Sequence, residues 1–365
     1  FACLSSFAQK FQPELRLPIG HSNKVYSAQY SPDGKSIVTA SWDNTAKIWD
    51  VTSGKILHDL TGHTWFVESV QFSPDGKSIV TASYDKTAKI WDVASGRMLH
   101  DLTGHTGKVY SAKYSPDGKS IVTASSDSTA KIWEVTSGNM LQNLKGHASA
   151  VESTQFSPDG KSIVTASSDS TAKIWEVASG KMLQNLKGHA DGLNSAKFSP
   201  DGKSIVTASS DNTAKIWDVD SGNMLQNLKG HTDDVNSAKF SPDGKSIVTA
   251  SSDNTAKIWE VASGIMLHDL TRHPSLVYSA QFSPNGKSIV TASWDNTAKI
   301  WDVASGNIIQ NLSGHTYYVM SAQFSPDGKS VVTASFDQTA KIWKVASGNM
   351  LQNLKGHTDG FQTAQ

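Results

Sequence analysis

Histidines stand at 21, 63, 105, 147, 189, 231, 273, 315 and 357, and tryptophans at 49, 91, 133, 175, 217, 259, 301 and 343, each series advancing by 42 residues without a slip. A fixed period of this length marks one supersecondary unit stacked on copies of itself. The decapeptide Ser-Pro-Asp-Gly-Lys-Ser-Ile-Val-Thr-Ala that begins at Ser31 recurs unchanged five more times, and two further copies differ only at Asn285 or Val331. Such sameness implies recent duplication or deliberate design. It also resolves a size problem, because one hydrophobic core rarely grows past about 250 to 300 residues and this chain has 365.

Inside one unit, short β-rich runs alternate with turn residues. The runs Val25 to Tyr30, Ile37 to Ser41, Thr45 to Trp49 and Ile56 to Leu60 predict four strands. Pro32-Asp33-Gly34, Asp43-Asn44 and Ser53-Gly54 supply the turns between them, and Gly62-His63 links to the next unit. A single four-stranded sheet cannot cover both of its faces, so neighbouring units must stack around an axis.

Gly20-His21 followed by Ile48-Trp49-Asp50, repeated eight times, resembles the WD-repeat family, and the resemblance covers residues 14 to 365. It implies an all-β chain folded as a single closed β-propeller of eight four-stranded antiparallel blades. The alternative is seven blades, the usual family number, plus an extra repeat whose apolar face would be left uncovered. The expected organisation is a leader at 1–13, the propeller at 14–356 and the start of a ninth repeat, probable truncation included, at 357–365. Two outer strands compete for the last blade: Glu14 to Ile19 beside Thr339 to Trp343, as in many family members, or Met350 to Leu354. In bacteria such repetitive propellers resemble appendages of larger signalling or defence proteins, which leaves room for a further domain in a longer chain.

Lysine plus arginine number 33 against 33 acidic residues, and only Arg16, Arg97 and Arg272 are arginines. A balanced charge gives no long-range field toward nucleic acid or an anionic membrane. Scarce arginine also removes the bidentate fork that phosphate and guanine recognition favours. The expected partners therefore include no nucleic acid and no membrane insertion, and no run approaches the length of a membrane helix. The single cysteine, Cys3, can form neither an intramolecular disulfide nor a thiolate cage. The apolar stretch Phe1 to Ala8, with Ser6 and Ala8 before Gln9, reads either as the tail of a secretory signal or as a disordered leader. An extracytoplasmic location and a cytoplasmic one both stay open.

Each unit carries a His, a Ser and an Asp that could pass for a hydrolase triad, as in His21, Ser41 and Asp43 beside Trp49, or His315, Ser335 and Asp337 beside Trp343. Eight copies argue against a catalytic site. The family resemblance implies instead a structural tetrad in which His bridges Asp and Ser and the indole N–H of Trp joins them, satisfying buried polar groups. One histidine per blade cannot converge on a metal, so no metal and no cofactor is expected. His58, His100 and His268 fall on outer strands and read as solvated. Gly34-Lys35-Ser36 mimics the end of a phosphate-binding loop, but Gln29 stands where its leading glycine belongs.

The informative residues are those that differ between copies. Variation concentrates two to five residues after each His and just before each turn Asp, two stretches that antiparallel pairing brings to one rim of the disc. Blade one has Lys24, Tyr26 and Trp42 there, and blade two has Trp65, Phe66, Glu68 and Tyr84. Blade seven has Leu276, Tyr278 and Trp294, and blade eight has Tyr317, Tyr318, Met320 and Phe336. Blades three to six place Ser126, Ser168, Ser210 and Ser252 before the Asp. Ring closure makes blades seven, eight, one and two adjacent, so a contiguous aromatic crescent is predicted. The opposite arc, with Gly192, Asn194, Asp234 and Asn236 beside Lys113, Lys197 and Lys239, is predicted to be a polar flank.

Clustered Trp and Tyr give large contact area at low entropic cost and dominate interface hot spots. The expected function is a non-catalytic scaffold that binds a protein or peptide on the crescent. Glycan or small-ligand recognition on the same face is the alternative, as is a repeat-amplified or designed scaffold with no selected partner. Arg272 in place of the usual Gly, Pro274 after His273 and Lys344 in place of Asp favour a natural chain.

Overall fold

A computed structural model describes residues 19–355. The first unit forms β1 (Val25–Tyr30), β2 (Ser36–Ser41), β3 (Ala46–Asp50) and β4 (Ile56–Leu60), paired antiparallel in that order. Seven further units repeat this sheet, so the described residues form eight four-stranded blades. The expected fold is shown, and seven blades plus a spare repeat is excluded.

Turn chemistry sets the strand ends. Gly34, at φ 71°, takes the left-handed position of the β1–β2 turn and donates its N–H to Ser31 O at 2.9 Å. Asp33 fixes the same turn by accepting from Ser31 Oγ and from Lys35 N. The β2–β3 turn demands the left-handed region at Asn44 (φ 70°), and the equivalent sites are filled by Lys86, Ser128, Ser170, Asn212, Asn254, Asn296 and Gln338.

Burial follows the position of each strand in the blade. From Ile37 to Ser41 every residue of β2 is buried, because neighbouring blades cover both faces of the middle strands. Strand β4 lies at the outer edge and exposes Leu57. The apolar cores form between blades rather than within them. Val38, Ala40, Ala46, Ile48 and Leu60 of blade one meet Val67, Val70, Phe72, Ile79 and Trp91 of blade two. The same arrangement closes the ring, where Val332, Ala334, Ala340, Ile342 and Leu354 pack on Val25, Tyr30, Ile37 and Trp49.

The outer strand of the last blade is Met350–Leu354, paired with Ala340–Lys344 through Ala340↔Leu354. That pairing occupies the place offered to Glu14 to Ile19, so every blade is built from contiguous sequence. Within that alternative strand only Ile19 lies among the described residues, and it is exposed. The leader and the partial ninth repeat lie outside the described residues.

Side-chain clasps join neighbouring blades at the periphery. Gln142 Nε2 donates to Ala178 O at 3.0 Å, and Gln352 Nε2 donates to Thr52 O at 2.8 Å, which ties blade eight to blade one. His58, His100 and His268 hold the same column and reach Ala94 O, Thr136 O and Ala304 O at 3.0 to 3.1 Å. They are therefore inter-blade links rather than freely solvated side chains, because the outer strand runs beside the β3–β4 turn of the next blade.

Candidate functional site

The recurrent His, Asp and Trp of each blade do meet, but around a threonine. His21 Nδ1 lies 2.8 Å from Asp43 Oδ2, and its Nε2 lies 2.7 Å from Thr39 Oγ1. Trp49 Nε1 donates to the same Thr39 Oγ1 at 2.8 Å. The last blade repeats this with His315, Asp337, Thr333 and Trp343 at 2.7 to 2.8 Å. Ser41 and Ser335 are not members. Ser41 Oγ accepts from Asp43 N and donates to Asn23 O, each at 3.1 Å, and Ser335 Oγ donates to Tyr317 O at 3.0 Å.

The reason for this correction is the shape of imidazole. With Nδ1 turned to the Asp of the β2–β3 turn, Nε2 points one pleat deeper into the sheet, to residue 39 rather than 41. The hydrogen-bond chain has one consistent direction: Trp49 N–H to Thr39 O, Thr39 O–H to His21 Nε2, and His21 Nδ1–H to Asp43. Burial holds His21 below its ordinary pKa despite Asp43, which favours this neutral imidazole. Burial pushes the Asp43 carboxyl up, but hydrogen bonds from His21, Thr45 and the Ser22 N–H together outweigh it and hold it below the carboxylate range. Thr39 is fully buried and Ser41 does not touch the imidazole, so the arrangement activates no nucleophile.

The variable residues gather at the opposite end of β1 from the Pro32-Asp33-Gly34 turn. Backbone bonds such as Trp42 N to Lys24 O and Trp294 N to Leu276 O, both 3.0 Å, hold the two variable stretches side by side. Their rings form a continuous stack across the ring closure. Trp294 lies 4.5 Å from Tyr318 at 6°, and Tyr318 touches Tyr317 at 4.4 Å. Tyr317 and Tyr318 lead to Phe336, Phe336 lies 5.3 Å from Trp42, and Trp42 stacks on Phe66 at 4.8 Å and 7°. Phe66 and Trp65 then meet Tyr84 edge-on or tilted. Lys24 Nζ sits 4.7 Å from the Trp42 centroid and 4.5 Å from that of Phe336.

The stack runs one blade further than the sequence pattern suggested. Tyr110 lies 5.8 Å from Tyr84, and Lys108 Nζ lies 4.5 Å from the Tyr84 ring. The signal was present, since Tyr110 and Lys108 occupy the columns of Tyr26 and Lys24. Ser126 before the turn Asp made blade three look polar.

Other members of the crescent turn inward. The register of β1 on β2 shifts between Val25 and Ser27, and this bulge drives residue 26 and its equivalents toward the channel axis. Met320 is consequently 3% exposed and cannot meet a partner. Tyr26 and Tyr278 reach past it and join through their hydroxyls. Glu68 lies in the same column, 3.4 Å from Trp42 Nε1, and burial raises its carboxyl to about 7 against the pull of Tyr26, Trp42, Tyr84 and Lys108. Trp65 and Tyr317 protrude instead, at 46% and 45% exposure. Trp294 Nε1 is buried without a hydrogen-bond partner.

The polar arc is only partly as expected. Ser168 Oγ donates to Glu152 at 2.6 Å, and Asn194 and Asn236 donate to backbone carbonyls of the next blade at 3.0 Å. Lys113, Lys197 and Lys239 do not belong to it. They sit at the far ends of their inner strands and line the other mouth of the channel, because residue 29 of the unit lies beside the turn opposite the crescent. Among the described residues no three His, Cys, Asp or Glu side chains converge as a metal site, and no helix is long and apolar enough to cross a membrane.

The repeat matches the family described as WD domain, G-beta repeat, over residues 12–50, 54–92, 96–134, 138–176, 180–218, 222–260, 264–302 and 306–344. The chain belongs to the WD40 repeat family. Over 46 residues it is 48% identical to ribosome assembly protein 4 of Chaetomium thermophilum, covering 13% of this chain and 9% of that protein. It is 41% identical over 54 residues to mouse WD repeat-containing protein 37, covering 14% of this chain and 11% of the relative. The match thus spans about a tenth of these relatives' length. Among solved structures, the computationally designed Ika8 protein superposes with a TM-score of 0.81 at 29% identity, covering 89% of this chain and 97% of that one. WD40 propellers are in general non-catalytic scaffolds for protein interactions.

Proposed function

We propose that this propeller captures a protein or peptide segment on the aromatic crescent of blades seven, eight, one and two, extended by Tyr110 and Lys108 of blade three. The observation that carries this reading is the unbroken stack from Trp294 to Tyr84, crowned by the protruding Trp65 and Tyr317. A monomer gains nothing from raising two large aromatics out of an already stacked layer, whereas a partner that buries them gains large apolar area. Lys24 and Lys108 over the rings bias the surface toward a ligand with apolar anchors and acidic neighbours. No catalytic step is proposed.

The test is capture from a native extract, comparing the chain with a variant carrying W42S, Y84S, W294S and F336S. Serine stands at the equivalent position in blades three to six, so the backbone accepts it. Loss of a partner by the variant, with its circular dichroism and ring assembly retained, supports the reading. Equal capture by both chains would refute it, and capture of glycans alone by the native chain would move the assignment to carbohydrate recognition.

A further inference from the structure

The channel mouth opposite the crescent is a cavity of ≈ 830 Å³ ringed by one residue from each inner strand. In five blades that residue is glutamine: Gln29, Gln71, Gln155, Gln281 and Gln323. In blades three, five and six it is Lys113, Lys197 and Lys239. The glutamines have a structural task. Gln29 Oε1 accepts Phe72 N at 3.1 Å, Gln71 accepts Tyr114 N at 2.8 Å, Gln155 accepts Phe198 N at 3.0 Å and Gln323 accepts Tyr30 N at 3.2 Å.

Lysine cannot perform this task because its ammonium only donates. Opposite Lys113, Lys197 and Lys239, the N–H groups of Phe156, Phe240 and Phe282 face no glutamine acceptor. Three blades have therefore exchanged an inter-blade hydrogen bond for a cation. None of the three ammonium groups forms an ion pair among the described residues, and no carboxylate lines the cavity. The nearest acidic ring, represented by Asp33, is engaged with its own turn through Ser31 and Lys35.

We propose that this mouth binds a small multivalent oxyanion, held by Lys113, Lys197 and Lys239 with the Gln155 amide N–H donors between the first two. With Gln155 Oε1 committed to Phe198, its Nε2 is left to donate. The anion supplies the acceptors that three cations and the exposed backbone donors lack, and charge-assisted bonds of this kind are the stronger ones. Multivalent phosphate and polycarboxylate share this chemistry. The site is independent of the crescent and lies at the other end of the channel.

The ionisation of the lysines gives the site a signature. Burial, with Lys113 and Lys239 adding repulsion, holds Lys197 down to about 7, and burial with repulsion from Lys113 holds Lys239 down to about 8. Burial also lowers Lys113. The other titratable groups lining the cavity are the phenols of Tyr30 and Tyr114, both shifted upward by burial. An anion favours the charged ammonium, so binding near pH 8 takes up protons.

Isothermal titration calorimetry of the full chain at pH 8 tests this, with inorganic tripolyphosphate in one arm and citrate in the other. Saturable binding is expected in at least one arm, with an enthalpy that depends on buffer ionisation. Each of K113Q, K197Q and K239Q should weaken it about tenfold, and the triple variant should abolish it. The triple variant restores the glutamine ring of the other blades, so it should melt no lower than the native chain. Should it fail to fold, the single variants decide. Absence of saturable heat in both arms, or equal affinity in the three single variants, refutes the site. The crescent variant W42S/W294S should bind the anion unchanged, which separates this inference from the proposed function.

Discussion

Replacing Thr165 by valine removes one hydroxyl and keeps the shape of the side chain. Thr165 is fully buried, its Oγ1 lies 2.7 Å from His147 Nε2, and it accepts Trp175 Nε1–H at 2.9 Å. Thr165→Val leaves both the imidazole acceptor and the indole donor unpaired in the interior. Each such loss costs about 1 to 3 kcal/mol, so the variant should lose about 2 to 5 kcal/mol. With an unfolding entropy of roughly 0.7 kcal/mol per kelvin for a domain of this size, the melting midpoint falls by about 3 to 7 °C. Ser167→Ala is the control, since Ser167 Oγ only bonds Ser149 O at 3.2 Å and Asp169 N at 3.0 Å at the turn. It should cost about 1 kcal/mol. Thr165→Ser keeps the hydroxyl and should fall between them. Differential scanning calorimetry of the three proteins orders them, and a Ser167→Ala variant less stable than Thr165→Val would refute the threonine-centred network.

Two other outcomes follow from the geometry. The Glu68 carboxyl is raised by burial from 4.5 to about 7, so the folded state holds a proton that the unfolded chain releases between those values. Stability from this group is therefore full below pH 4.5 and falls as pH rises through 7; Glu68→Gln should remove that slope and stabilise the protein by about 3 kcal/mol at pH 8, as read from urea midpoints across pH. Gln338, at φ 71°, holds a left-handed position filled by asparagine in four other blades. Gln338→Asn should raise stability by about 0.5 to 1 kcal/mol, and a lowered midpoint would argue against backbone strain there.

The 42-residue period was enough to read the blade, its four strands and the turns between them, because each turn type demands residues such as Gly34 and Asn44 that stand out in any copy. The aromatic crescent was also legible as a cluster, since alignment of the copies against one another isolates the variable columns. What the linear pattern could not carry was direction. Ser41 and Thr39 sit on the same face of β2, and only the depth to which His21 inserts selects Thr39 as its partner. Residues 26 and 29 of the unit share one strand, yet a bulge turns Tyr26 and Met320 into the channel beneath the crescent while Lys113, Lys197 and Lys239 ring the far mouth. Ring closure by Met350–Leu354 likewise rests on competition between two similar strands for one edge. Local propensities and repeat spacing write the elements of this protein into its sequence, whereas the height of a side chain along the axis and its neighbour across a blade exist only once eight sheets are packed around a common centre.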